Sequence, residues 1–156
     1  MLKLLYTFFI GVLFAILVGV GIAAFYEAPK EPDYPSALKV TRPEERLSEP
    51  VFIELRALQE RYDKDFAAYR NALQTYNRNV SIISILAAIV TLVISLTVLQ
   101  TTLLLADGFL LGGVLTLLYS IIRGFDTGSD TFRFIIVAAS FVIAVILGYI
   151  KLTKRQ

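Results

Sequence analysis

The chain has 156 residues, 56% of them apolar and 18% charged, with a mean hydropathy of +0.69. A soluble domain carries roughly 45–50% apolar and about 25% charged residues, so this composition excludes an ordinary soluble domain. The lack of Cys and His excludes disulfides, thiolate metal sites, Cys nucleophiles and His-based triads or zinc sites; a net charge of +2 gives no argument for nucleic acid.

The first apolar run, Leu4 to Phe25, holds no charge in 22 residues. At 1.5 Å per residue it reaches about 33 Å, enough for a hydrocarbon core of about 30 Å. A signal-peptide core is only about 7–15 residues long, so the run reads as a retained membrane anchor over 1–25. Gly11, Ala15, Gly19 and Ala23 recur at intervals of four. Helices in lipid associate through such small residues because they let backbones approach closely.

All five prolines fall between residues 29 and 50. With Glu27, Lys30, Glu31 and Asp33 they make 26–34 a stiff, extended leader within an extramembrane linker over 26–49. Thr41-Arg42-Pro43-Glu44 fits a capping box and predicts a short helical turn over 42–47. Pro50 suits the first turn of a new helix, with Ser48 or Glu49 as its cap.

Residues 50–79 contain no Gly and no further Pro, and good helix formers dominate. Phe52, Phe66, Leu73 and Val80 form one heptad row, and Leu55, Tyr62, Tyr69 and Tyr76 the other. Steps alternating between three and four residues make this a helical stripe. Phe52, Leu55, Tyr62, Phe66, Tyr69, Leu73 and Tyr76 are therefore the expected partner-binding residues. A stripe of that size needs a cover: the folded-back segment 36–47 with Leu38, Val40 and Leu47, a second copy, another protein, or the membrane surface. Nothing interrupts the pattern at 79–81, so one helix from about residue 50 to about residue 104 is expected, its first half outside the membrane.

The second apolar run extends from Val80 to Ala106, the third from Phe109 to Ile122 and the fourth from Phe134 to Ile150. Asp-Gly is a turn signal, and a carboxylate is costly at membrane depth. Asp107-Gly108 is therefore expected to separate the second and third spans, although Gln100-Thr101-Thr102 is also polar. Gly112 and Thr116 in the third span, and Ser140, Ala144 and Gly148 in the fourth, are the further expected helix-packing residues. A Ser/Thr row in the second span (Ser81, Ser84, Ala88, Thr91, Ser95) recurs at alternating steps of three and four.

Asp126-Thr127-Gly128-Ser129 spells the D-T-G-S of aspartic proteases, but that motif works in an all-β fold with a second carboxylate. Here it lies in a short link between spans and reads as a polar turn, with Asp130 or Thr131 capping the fourth span. No phosphate-cradling glycine motif is present. Between residues 26 and 79, nine Lys/Arg face ten Asp/Glu, a balance without net attraction for nucleic acid.

The expected fold is an all-α integral membrane protein with four transmembrane helices in a compact bundle, residues 80–156 supplying three spans and a short cationic tail. One long extramembrane helix continues into the second span. The expected function is a non-enzymatic multi-pass scaffold or assembly subunit, using no cofactor, metal or small-molecule substrate. Its partners are the bilayer and either a second copy or another membrane protein. A channel-like or transport oligomer lined by the Ser/Thr face of the second span is the rival. Lys3 and the amino terminus precede the first span, and Glu27, Glu31 and Asp33 follow it. That asymmetry favours cytoplasmic termini in the plasma membrane, with 26–79 outside.

Overall fold

A computed structural model describes residues 1–40, 49–99 and 102–153, the side chains of Val40 and Leu152 apart. The 41–44 capping box, Leu47, Ser48, Gln100 and Thr101 lie outside the described residues. The described chain is helical: α1 (Leu2–Phe25), α2 (Ser36–Val40), α3 (Glu49–Thr97), α4 (Leu103–Phe125) and α5 (Asp130–Thr153). Four of these, all but α2, are long and apolar enough to cross a membrane. A helix satisfies its backbone polar groups internally, which hydrocarbon demands of any spanning segment.

The chain divides into two units, one of Met1–Glu27 with Gln74–Gln156 and one of Ala28–Leu73. Helix α3 contributes residues to both.

In the first unit α4 is the central helix, and its glycines show why. Gly108 and Gly112 lie one turn apart on the face toward α1: a methyl added at Gly108 would sit 2.8 Å from Ile10 Cγ2, and one at Gly112 3.0 Å from Phe14 Cβ. Gly11 of α1 answers them: a methyl added there would sit 2.9 Å from Leu111 Cβ. Phe14 and Phe109 meet beside this contact, ring centroids 5.2 Å apart. Gly113 faces the other way, where a methyl would meet Leu92 of α3 at 2.6 Å. Gly124 lies against Ser81 of α3 and Ile136 of α5. Ile85, Ala88 and Leu92 of α3 and Leu117 of α4 form the buried core, joined by Ala139, Ile143 and Leu147 of α5.

Two expected boundaries are corrected. Helix α3 ends at Thr97, not near residue 104, and Asp107-Gly108 lies inside α4 instead of forming a turn. The third span therefore has 23 residues, about 34 Å of helix, where the uncharged run offers only 14. Lys151 of α5 donates to the Asp107 carboxylate, which removes the unpaired charge that made Asp107 a poor span residue. Gly108 serves close packing against Ile10, not a turn. At the start of α5 the cap is Ser129, one residue before those expected: its Oγ accepts from the Phe132 N–H at 3.4 Å.

The second unit holds the leader, α2 and residues 49–73 of α3. The leader has neither helix nor strand from 27 to 35. Helix α2 then begins at Ser36, directly after Pro35; its five residues fall where only linker is expected.

Candidate functional site

In the second unit the aromatic stripe forms a ladder. The Tyr62 and Phe66 rings stack with centroids 5.8 Å apart at 21°, and Phe66 and Tyr69 follow at 6.0 Å and 40°. Each pair is one helical step of three or four residues, which places the rings above one another on one face. Tyr34 of the leader meets Tyr62 edge-on, 5.0 Å between centroids at 75°. The Lys39 ammonium of α2 lies 5.7 Å from the Tyr34 ring centre. Such ring pairs contribute about 0.5–1.5 kcal/mol each beyond their buried area. The leader therefore covers part of the ladder through Tyr34, while Leu38 is half-buried.

Leu55, Tyr62, Phe66, Tyr69 and Leu73 are half-buried. Phe52 is 55% exposed, flanked by exposed Val51 and Ile53. Tyr76, in the first unit, is buried and stacks on Tyr26 at 5.1 Å and 4°. Asn79 Nδ2 donates to the Tyr26 hydroxyl at 2.8 Å. Tyr76 thus has its contact inside the membrane-type unit.

Among the helix-packing residues, Gly11, Gly112, Thr116 and Ser140 are buried. Ala15 and Gly19 are half-buried, Gly19 4.0 Å from the Tyr119 ring by the same added-methyl measure. Ala23, Ala144 and Gly148 are exposed. Gly11 and Gly112 are brought together; Gly148 has open space around it.

The Ser/Thr row of α3 faces α4. Ser81 Oγ donates to the Ser120 carbonyl at 2.8 Å, and Ser120 Oγ donates to the Ser81 carbonyl at 2.7 Å. Ser95 Oγ donates to the Ala106 carbonyl across the α3–α4 connection at 2.6 Å. Ser84 and Thr91 bond carbonyls of their own helix, those of Val80 and Ala87. All five hydroxyl residues are buried, whereas a pore lining would meet water.

Polar groups also gather at the end of the first unit that holds the α4–α5 link. Arg123 Nε donates to the Tyr119 hydroxyl at 3.1 Å, and its Nη1 donates to Asn77 Oδ1 at 3.2 Å. Asn77 is buried. Arg133 reaches Asp130 at 2.8 Å and the Phe125 carbonyl at 2.9 Å. In the D-T-G-S segment, Thr127 Oγ1 donates to the Gly124 carbonyl, and Gly128 has φ +70°, the left-handed region that favours glycine. Asp126 and Asp130 are exposed.

The sequence reading missed the Tyr34–Tyr62 contact, the Ser81–Ser120 pair, the Arg123–Asn77 bond and the Lys151–Asp107 pair. The amides and charges at the ends of the apolar runs were the available signal, since each needs a polar partner there. No family model matches this sequence, and neither a curated protein nor a solved structure is similar to it.

Proposed function

We propose that this chain is a non-enzymatic, multi-pass membrane scaffold or assembly subunit. Its four long apolar helices span the bilayer as a compact bundle, and its extramembrane helical segment, continuous with the second span, presents an aromatic ridge to a second copy or to another membrane protein. The observation that carries the reading is the start of α3. Val51, Phe52 and Ile53 are exposed there, at the head of a ladder whose rings are already ordered by Tyr34. A pre-ordered aromatic anchor loses little conformational freedom on docking, and aromatic residues are enriched at interface centres. In this reading the termini face the cytoplasm of the plasma membrane and 26–79 lies outside.

The test is cross-linking in native membranes, with size analysis in mild detergent. Wild-type protein should give a complex larger than the monomer. Phe52→Asp should abolish it, as should Phe66→Asp combined with Tyr69→Asp, with membrane insertion retained in both. Wild-type protein that stays monomeric in membranes and in detergent sinks the proposal.

A further inference from the structure

A cleft of about 320 Å³ opens in the first unit where α3 passes the α4–α5 link. Its lining includes Gln74 and Arg78 from α3, Ser129 and Thr131 from the link and the start of α5, and Phe132 and Ile135 from the next turns. We infer that this cleft binds the anionic headgroup of a membrane phospholipid, with Arg78 as its counter-charge. The inference rests on the membrane-spanning reading, and on nothing about the aromatic ridge.

Three observations carry it. The first is charge. Arg78 is the one charged residue in the lining, and it has no ion-pair or hydrogen-bond partner among the described residues. The neighbouring carboxylates leave it unmatched: Asp126 and Asp130 do not line the cleft, and Asp130 is held by Arg133.

The second is donor supply. A phosphodiester only accepts hydrogen bonds, so its site must be rich in donors. Ser129 Oγ uses an acceptor position on the Phe132 N–H, which leaves its own hydrogen free to point outward. Thr131 supplies a second hydroxyl, Gln74 an amide, and Arg78 a fork of N–H groups suited to two phosphate oxygens.

The third is the polarity gradient. Phe132 and Ile135 give the cleft an apolar wall. That wall continues along α5 at the same helical face, with Val142 exposed two turns below Ile135, and on α3 Ile82 is exposed one turn from Arg78. A free phosphate ion would gain nothing from these surfaces. A lipid places its charge against Arg78 and its acyl chains along them. The volume is at the low end of small-molecule pockets, roughly 300–1,000 Å³, and fits a headgroup, not a whole lipid.

The experiment is native mass spectrometry of the full chain, released from bilayers of phosphatidylcholine mixed equally with phosphatidylglycerol. The expected spectrum shows phosphatidylglycerol retained in preference to phosphatidylcholine. Arg78→Gln should lower that retention about five- to tenfold, the scale of one arginine–phosphate contact near a membrane. Ser129→Ala with Thr131→Ala should lower it by less. Lys64→Gln, an equal charge loss in the other unit, should leave it unchanged. Equal retention of both lipids overturns the inference, as does an Arg78→Gln protein of wild-type helicity that keeps its preference. Displacement of phosphatidylglycerol by equimolar inorganic phosphate would assign the cleft to a soluble anion and overturn the lipid assignment. Extraction of the wild-type chain from membranes by alkaline carbonate would instead defeat the spanning reading, so the two failures are distinct.

Discussion

Ser81 and Ser120 each donate a hydroxyl to the other's backbone carbonyl, so the two residues act as a unit. In hydrocarbon an inter-helix hydrogen bond of this kind is worth on average about 0.6 kcal/mol and at most about 1.7. Ser81→Ala and Ser120→Ala should each lower stability within that range. The double substitution should cost clearly less than their sum, because the two hydroxyls also lie 3.2 Å apart and each single change already removes a neighbour that the other contacts. A double-mutant cycle from reversible unfolding in mixed micelles measures this, and strict additivity would mean that the two bonds are independent. The partners become visible only in three dimensions. Serines at positions 81, 84 and 95 are legible as one helical face from spacing alone, but whether that face meets water or a neighbouring helix depends on Ser120 and Ala106.

Elements show most plainly how far the sequence could be read. The apolar runs locate all four long helices; of the small-residue row in α1, Gly11 lies closest against α4, while Ala23 is exposed. The connection between the second and third spans was misplaced because Asp107 and Gly108 have local meanings that distant residues cancel. Lys151 neutralises Asp107 from 44 positions away, and Ile10 fills the space beside Gly108 from almost 100 positions away. No local rule contains either fact. In the same way, the contact of Tyr34 with Tyr62 depends on the path of a proline-rich leader that periodicity does not describe. The Asp107–Lys151 pair is testable as an element-level clamp between α4 and α5. Its side chains are 37% and 29% exposed, so Asp107→Asn should cost less than the roughly 3 kcal/mol of a fully buried pair. Asp107→Leu with Lys151→Leu should restore or exceed wild-type stability, since apolar replacement of an ion pair removes the desolvation cost. Micellar unfolding curves decide it: a double variant weaker than Asp107→Asn would show that the charges themselves hold the helices.

At the scale of the whole molecule, the four proposed crossings are an even number and therefore predict both ends of the chain on one side of the bilayer and residues 26–79 on the other. A reporter active only in the cytoplasm, inserted at residue 45, should be silent, and the same reporter after residue 156 should be active. The reverse pair of results would invert the orientation, and equal activity at both positions would mean an odd number of crossings. The docking of α1 on α4 through Gly11, Gly108 and Gly112 also bears on how the protein is made. The ribosome completes α1 almost 90 residues before Gly112 exists. At 5–20 residues per second that interval lasts roughly 5–20 s. If α1 crosses the membrane as proposed, it must wait through that interval with its glycine face bare to lipid, and its mean hydropathy of 2.7, the highest of the four candidate spans, suits it to do so.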